Sequence, residues 1–267
     1  PARALGRLIY RRGMARFKVG FHFYQQQTTM AELRHAWQEA DRMGVDSIWP
    51  WDHFFPIYGD RNGASFEGWS LLAAMAVDTE RAQLGMLVTG NPYRNPDLLA
   101  DMARTVDHLS GGRAILGIGA GWFERDFQEY GYDFATPPRR LKDLEASLVR
   151  IRARLDRLNP PPVGRLPIMV GGAGERVTLR LVAQHADMWN CFGPAGAFAA
   201  KNKVLDEWCA RVGRDPAEIE RTVMIVDPND VHHVEPYLEA GAQHLILGAG
   251  PPFDLEPLRV LIEAAKG

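Results

Sequence analysis

The stretch of sequence that decides the fold is residues 83–121, QLGMLVTGNPYRNPDLLADMARTVDHLSGGRAILGIGAG. An apolar run over residues 83–89 is followed by a helical pattern over residues 96–109, with proline in its first turn. A second apolar run follows over residues 114–119. Neither run alternates with polar residues, as is typical of strands buried on both faces of a parallel sheet. The stretch therefore predicts a strand–helix–strand unit.

The same unit repeats on both sides of this stretch. Apolar runs that predict strands lie at residues 17–24, 46–51, 166–170, 187–191, 222–226 and 244–247. Patterns that predict helices lie at residues 29–43, with Thr28 as a possible N-cap, and at 67–77, 139–158, 174–185, 195–212, 231–240 and 255–265. Eight such units predict an α/β protein with a closed (β/α)8 TIM barrel. The alternative, an open doubly wound sheet, normally has a glycine fingerprint where this chain has Gln25-Gln26-Gln27.

The composition of the 267 residues is that of an ordinary globular protein, with 46% hydrophobic and 24% charged residues. A formal net charge of −2 gives no reason to expect nucleic acid or membrane as a partner, and no apolar run is long enough to span a bilayer. Cys191 and Cys209 form no disulfide or metal motif, which favours a cytoplasmic location. Because a clear strand begins just after Met14, we expect residues 1–13 to be an upstream or added extension and residues 14–267 to form a single barrel domain.

The segment SIWPWDHFFP, residues 47–56, places an acid and a histidine at the end of the second predicted strand. The carboxyl ends of barrel strands form the active face, so Asp52 and His53 are candidate catalytic residues. An imidazole in a dry cavity can act as a general acid or base, donate a hydrogen bond to a cofactor or hold a metal. The alternative is a histidine capped inside the core. No further histidine or carboxylate has metal-ligand spacing nearby, so no metal is expected.

Two glycine-rich segments follow other predicted strands. Residues 171–174, Gly-Gly-Ala-Gly, precede a predicted helix, where backbone N–H groups can converge on an anion. The alternative there is a tight turn that needs positive φ. Gly117, Gly119 and Gly121 alternate, which either admits a flat ligand close to the sheet or makes room for large neighbouring side chains.

Three blocks of this sequence resemble the bacterial-luciferase-like superfamily, and within it the coenzyme F420-dependent oxidoreductases. The blocks are DSIWPWDHFFP (46–56), LGMLVTGNPYRNPDLLADMARTVDHLSGGRAILGIGAGWFERDFQEYGYDF (84–134) and LPIMVGGAGERVTLRLVAQHADMWN (166–190). The family is a (β/α)8 barrel that binds either FMN or the deazaflavin F420 in the barrel mouth. The resemblance therefore implies a redox enzyme that acts through one of these two cofactors.

The resemblance also implies roles for individual residues. Asp52 would contact the deazaflavin ring, and His53 would lie near its reactive carbon as proton donor, proton acceptor or substrate anchor. The family's non-proline cis peptide would fall at Leu87-Val88 and form a bulge behind the central ring. The remaining cofactor residues would be Thr89, Gly90 and Asn91 along the same wall, Gly119, Ala120, Gly121 and Trp122 along the cofactor's side chain, and Gly171, Gly172, Ala173 and Gly174 around its phosphate.

Three functions follow from these residues and the resemblance. The first is an F420-dependent oxidoreductase that transfers a hydride to or from a small organic substrate. The alternative is an FMN-dependent, luciferase-like monooxygenase that uses reduced flavin and oxygen. The third is a non-catalytic cofactor-binding protein. Because Trp122 stands where the family's sugar-phosphate dehydrogenases keep a glutamate, that substrate is not assigned. Family members are commonly dimers, so a homodimer is possible.

Overall fold

The computed structural model describes residues 15–267, so the expectation for residues 1–13 lies outside the described residues. Nine strands are present in this part of the chain, and all their pairings are parallel. They are β1 (Lys18–Phe23), β2 (Ser47–Trp49), β3 (Gln83–Gly85), β4 (Thr89–Gly90), β5 (Ala114–Gly119), β6 (Ile168–Gly171), β7 (Met188–Phe192), β8 (Glu220–Ile225) and β9 (His244–Ala249).

The strands close into a barrel in which the third of eight positions is shared by two short strands. β1 pairs with β2 and β9, and β3 pairs with β5, which joins the two ends of the sheet. This confirms the predicted (β/α)8 barrel. The continuous strand predicted at residues 83–89 is wrong, because Leu87-Val88 is a cis peptide and separates β3 from β4. The cis peptide itself was implied by the family resemblance.

Nine α-helices of the described residues pack around the barrel. They are α1 (Met30–Met43), α2 (Gly68–Asp78), α3 (Pro96–Leu109), α4 (Glu124–Tyr130), α5 (Pro137–Leu155), α6 (Thr178–His185), α7 (Ala195–Val212), α8 (Glu235–Glu239) and α9 (Glu256–Lys266). Short 3-10 turns cover Asn91–Tyr93, Pro216–Glu218 and Pro228–His232.

Two helix predictions need correction here, and one helix was missed. Thr29, not Thr28, caps α1, because its hydroxyl accepts from the backbone N–H of Glu32 and the Glu32 carboxylate accepts in return. The helix predicted at residues 231–240 is a 3-10 turn followed by the short α8, since Pro236 lacks the N–H that a continuing helix needs. α4 was not predicted.

Two apolar clusters separate the inside of the barrel from its outer layer. The smaller cluster fills the barrel and consists of Trp49, Ile115, Met169, Met188 and Ile246. The larger one lies between the strands and the helices. Leu87 and Val88 pack on the inner cluster from the side of the split strand. The barrel is therefore a filled core, and ligands can enter only at its ends.

Candidate active site

The predicted site residues lie at the carboxyl ends of neighbouring strands. Asp52 and His53 follow β2, Thr89 and Gly90 form β4, and Gly119 and Gly171 end β5 and β6. The structure brings Asp52 to Gly90, whose N–H donates to Oδ2 over 2.9 Å. In a parallel barrel, all these strand ends meet at one mouth.

His53 is held through one ring nitrogen. Its Nδ1 lies 2.8 Å from Oδ2 of Asp126, and the histidine side chain is 14% exposed while that of Asp126 is fully buried. A carboxylate accepts hydrogen bonds, so this partner assigns the proton of the neutral imidazole to Nδ1. The lone pair on Nε2 then remains for a ligand.

Asp126 is the partner that sequence reasoning missed. It lies in α4 and also accepts from the backbone N–H groups of Phe54 and Phe55 and from the Tyr93 hydroxyl, at 3.1–3.3 Å. Burial and the Asp126 charge raise the pKa of Tyr93, so its hydroxyl stays protonated. No spacing rule links residues 73 positions apart. The only sequence signal was an acid in the first turn of an unrecognised helix, just after the fourth-strand glycines.

Aromatic rings surround His53. Trp51, Trp122 and Phe123 all stand nearly perpendicular to the imidazole, with ring centroids 5.9, 5.5 and 5.4 Å away. Trp51 is stacked on Tyr24, with centroids 4.9 Å apart and an interplanar angle of 10°. The imidazole therefore lies in an apolar pocket mouth whose walls come from three strand ends.

Asp52 is committed to a buried ion pair. Arg94 donates to both carboxylate oxygens, at 2.5 and 2.9 Å, and its second amino group also reaches Glu67 at 2.8 Å. Burial raises the pKa of Asp52 to about 6 against the pull of Arg94, so the carboxylate is ionised at neutral pH. The carboxylate therefore links its own segment, which carries His53, to Gly90 in β4. A contact between Asp52 and a cofactor ring stays a prediction.

The three glutamines after the first strand fix the same segment. Gln25 exchanges two hydrogen bonds with the backbone of Trp51, at 2.5 and 2.9 Å. Gln26 accepts from the N–H of Ile57 and donates to the carbonyl of Tyr58, at 2.8 and 2.7 Å. The polar triplet that replaces a glycine fingerprint thus anchors the loop between β2 and α2 over the barrel mouth.

The alternating glycines make room for the split strand. A Cβ on Gly117 would lie 1.9 Å from the Met86 carbonyl oxygen, and one on Gly119 would lie 2.8 Å from Val88 Cγ2. Gly171 meets Val88 in the same way, at 3.0 Å. Of the two readings of this motif, close packing against the chain's own bulge therefore applies to Gly117 and Gly119.

The predicted phosphate loop follows β6, at a different strand end from His53. Gly172 has a φ of +128°, and its N–H donates to the Asn190 carbonyl over 2.9 Å. α6 begins at Thr178, not at Gly174 as predicted, so a turn separates the glycines from the helix. Ala173 is half-buried and Gly174 exposed, which leaves this backbone reachable. Phosphate binding here stays a prediction.

The residues at the mouth fit a flat ring that carries polar edges. Among residues 15–267, the side-chain Nε1 of Trp51 and Oγ1 of Thr89 are buried without a hydrogen-bond partner. Buried donors without partners are uncommon in proteins and mark places where a ligand can complete the bonding. Ala120, Gly121 and Trp122 line the half-open edge after β5, and Trp122 is 60% exposed. Trp51 and the predicted cofactor residues at this mouth thus supply apolar walls and two unsatisfied polar atoms.

A network of hydrogen-bonded polar side chains lies inside the barrel, at the amino ends of the strands. His244 is fully buried, with Nε2 2.8 Å from Ser47 Oγ and Nδ1 2.9 Å from Glu220 Oε1. Trp49 donates to Ser47 and Lys18 to Glu220, at 2.6 and 2.7 Å. Serine, histidine and carboxylate adjoin here as in hydrolases, but Ser47 is completely buried. This network holds the strands together, and its serine is out of reach of any substrate.

The described residues contain neither a metal-binding cluster nor a membrane-spanning helix. Among residues 15–267, no three histidine, cysteine, aspartate or glutamate side chains are placed to hold a metal ion. No helix in the same range has the length and apolar character needed to cross a bilayer.

Comparisons with known proteins match these features to a family. The family model described as luciferase-like monooxygenase matches residues 14–227. The 5,10-methylenetetrahydromethanopterin reductase of Archaeoglobus fulgidus is 30% identical over 198 residues, which cover 68% of this chain and 56% of that protein. The 4-hydroxyprotoasukamycin monooxygenase of Streptomyces nodosus subsp. asukaensis is 29% identical over 201 residues, with coverages of 68% and 53%. The chain spans about half the length of the curated relatives it matches.

A solved structure shares the whole fold. An F420-dependent secondary alcohol dehydrogenase in complex with an F420-acetone adduct superposes with a TM-score of 0.84 and covers 93% of this chain and 99% of that one. Its sequence identity is 18%, so the likeness shows the shared barrel alone.

Proposed function

Because the chain belongs to the luciferase-like monooxygenase family, we propose that it is an oxidoreductase that transfers a hydride between coenzyme F420 and a small organic substrate. The observation that carries the proposal is the pair His53–Asp126, which presents Nε2 of the imidazole in an aromatic mouth at the carboxyl ends of the strands. Proton transfer beside a dry slot for a flat ring is what a hydride-transfer site requires.

His53 handles the proton in this scheme. During alcohol oxidation, the hydroxyl proton passes to Nε2 while the carbinol C–H bond breaks, its electron pair leaves with the hydrogen as hydride, and a C=O bond forms. In the reverse direction, the protonated imidazole returns the proton to the carbonyl oxygen. Asp126 keeps the ring oriented in both directions and stabilises the imidazolium. When bound, the deazaflavin supplies the carbon that accepts or donates the hydride.

The cofactor is held by the rest of the mouth. Val88, Thr89, Gly90 and Asn91 form one wall, whose position is fixed by the bond from Gly90 to Asp52. Gly119 to Trp122 lie along a second edge, and the backbone of residues 171–174 receives the phosphate. The cis peptide between Leu87 and Val88, together with the glycines opposite it, supports this arrangement.

The alternative is an FMN-dependent monooxygenase that uses reduced flavin and oxygen. It is supported by the similarity to the Streptomyces monooxygenase, which covers as much of this chain as the match to the reductase. The same mouth would hold the flavin ring, which differs from the deazaflavin at one ring atom. His53 would again be the acid or base.

Equilibrium binding of the two cofactors tests the proposal. We expect the purified protein to bind F420 more tightly than FMN when both are titrated and followed by absorbance and fluorescence. The variant His53→Ala should keep most of the F420 affinity, because the walls that hold the ring are unchanged. Preferential binding of FMN, with no detectable F420 binding, would overturn the first choice in favour of the monooxygenase. Binding of neither cofactor would refute both.

A further inference from the structure

A second histidine, His22, points into the barrel near its carboxyl end. Successive side chains of a strand point to opposite faces. Gly20 points inward, since a Cβ there would lie 2.9 Å from Ile246 of the inner cluster. His22 lies two residues nearer the carboxyl end of β1 and therefore points inward as well. Its backbone is paired with that of Trp49, another member of the inner cluster.

One ring nitrogen of His22 is used by the protein itself. Nδ1 lies 2.8 Å from the carbonyl oxygen of Trp49, and a carbonyl only accepts, so Nδ1 carries the proton. Burial lowers the pKa of His22 to about 4, although the hydrogen bond to Trp49 raises it, and the neighbouring His53 lowers it further. The ring is therefore neutral at pH 7 and holds a lone pair on Nε2.

The second ring nitrogen of His22 is available to a ligand. Within residues 15–267, no protein group hydrogen-bonds to Nε2, and Nε2 is not among the polar atoms that are sealed in the core without a partner. Trp51 contacts both imidazoles, with its ring centroid 5.4 Å from that of His22 and 5.9 Å from that of His53. Nε2 of His22 is thus accessible from the mouth that His53 lines.

His22 and His53 share a tautomer but differ in the partner of Nδ1. Nδ1 of His53 faces the carboxylate of Asp126, which stabilises a positive imidazolium. The Trp49 carbonyl that faces Nδ1 of His22 carries no net charge, and His22 is only 1% exposed. His22 is therefore suited to accept a hydrogen bond without taking the proton, which leaves proton transfer to His53.

Taking the function proposed above as given, we infer that His22 is a cofactor-binding residue whose Nε2 accepts a hydrogen bond from an N–H or O–H donor of the deazaflavin ring. Val88, in the predicted wall behind the ring, packs on the same inner cluster as Trp49, the backbone partner of His22. A ring that rests on this wall therefore has His22 as an acceptor within the barrel. The edge of the ring that meets His22 has to carry a proton, because a neutral imidazole nitrogen only accepts.

The imidazole nitrogens of the unchanged protein report this hydrogen bond directly. Protein with ¹⁵N-labelled histidine is titrated with F420, and separately with FMN, and is followed in long-range ¹H–¹⁵N spectra without any substrate. We expect the Nε2 resonance of His22 to move upfield when F420 binds, because an imidazole nitrogen that accepts a hydrogen bond becomes more shielded. The resonances of His35, which is exposed on α1, should not move.

Variants of His22 measure what the bond contributes to affinity. His22→Phe keeps a ring but removes the acceptor, and should weaken F420 binding by about three- to tenfold. His22→Gln should retain most of the affinity, because its amide can donate to the Trp49 carbonyl and accept from the ligand. His35→Phe is the matched control, since the same substitution on the exposed face of α1 should leave F420 affinity unchanged.

The outcomes separate this inference from the proposed function. An unmoved Nε2 resonance on F420 binding, or equal F420 affinity of His22→Phe and the unchanged protein, would overturn the role of His22 and leave the proposed function intact. If His22→Phe does not fold, the spectra of the unchanged protein decide alone. A shift with FMN and no binding of F420 would support the acceptor role while refuting the choice of F420. Binding of neither cofactor would refute both.

Discussion

His53 illustrates how much of the proposed chemistry depends on one hydrogen bond. The bond from Nδ1 to Asp126 selects which nitrogen carries the proton, and the selected tautomer presents a lone pair to the substrate. Asp126 is in turn fixed by two backbone N–H groups and by the Tyr93 hydroxyl. A carboxylate with so many donors has little freedom to move, so we expect Asp126 to hold the imidazole in position.

The variant Asp126→Asn tests this positioning role. The amide can donate to Nδ1, which moves the proton of the neutral imidazole to Nε2. We expect kcat to fall by about two to four orders of magnitude and the pH profile of kcat to change, with F420 affinity retained. Long-range ¹H–¹⁵N spectra of the imidazole report the tautomer without any substrate.

Glu124→Gln serves as the control for that experiment. Glu124 is an exposed acid in the same helix, and within the described part of the chain only Gln128 hydrogen-bonds to it, at 2.9 Å. Its replacement should leave kcat and the histidine spectra unchanged. If Asp126→Asn kept the original tautomer and pH profile, Asp126 would have no role through His53.

At the scale of single elements, the split strand β3–β4 depends on glycines in the strands that adjoin it. Val88 occupies the space that a Cβ on Gly119 or Gly171 would fill. The cis peptide between Leu87 and Val88 and the glycines that face it, Gly119 and Gly171, are therefore parts of one packing arrangement. A methyl group added at either glycine displaces the wall.

The variant Gly119→Ala tests this packing arrangement. The new Cβ would lie 2.8 Å from Val88 Cγ2, closer than any normal carbon–carbon contact. We expect the free energy of unfolding to fall by about 1–3 kcal/mol in urea titrations, with weaker F420 binding. Gly196→Ala is the control, because Gly196 lies inside α7 with no atom within 4 Å of the new Cβ. That change should be neutral or stabilise by up to about 1 kcal/mol. Equal stability of the two variants would contradict the packing argument.

The sequence predicted elements better than it predicted the contacts between them. Apolar runs and helix patterns located the barrel and its mouth, because a strand that is buried on both faces has a continuous apolar sequence of its own. An apolar run carries no information on peptide isomers, so the break at Leu87-Val88 came only from the family resemblance. The partners Arg94 and Asp126 were out of reach, since pairing across 42 and 73 residues is decided by the folded chain.

At the scale of the whole molecule, the two ends of the barrel have different tasks. At the carboxyl end, polar atoms are left without hydrogen-bond partners. At the amino end, a network of hydrogen bonds connects the side chains of Lys18, Glu220, His244 and Ser47 without a break. It links β1, β2, β8 and β9, and so joins strands from both termini of the barrel. Such a network stabilises the closed barrel.

The pH dependence of the free energy of unfolding tests whether Glu220 in this network stabilises the barrel. Burial alone would raise the pKa of Glu220, but the hydrogen bond and charge of His244 and the Lys18 ammonium lower it from 4.5 to about 2. A lowered folded-state pKa gives stability that is complete above about pH 4.5 and is lost as the pH falls toward 2. The contribution at neutral pH is on the order of 3 kcal/mol.

We therefore expect Glu220→Gln to unfold at lower urea concentration at pH 7 and to lose less stability than the unchanged protein between pH 5 and pH 3. Glu218→Gln is the control, because Glu218 is 59% exposed and, among residues 15–267, forms a salt bridge only with Arg214. Its stability should follow that of the unchanged protein at every pH. Parallel pH curves for Glu220→Gln and the unchanged protein would show that this carboxylate does not contribute.

The adjacent residues Asp52 and His53 are anchored to separate parts of the chain. Asp52 is tied to Arg94 in the segment after β4, and His53 to Asp126 in α4. Barrel enzymes vary their chemistry through these loops, so the loops are natural targets for exchange between barrels. Here the three segments depend on one another. A chimera that imports the residues after β2 without both partners would strand a charge in the interior and misalign the imidazole, so the segments have to be transplanted together.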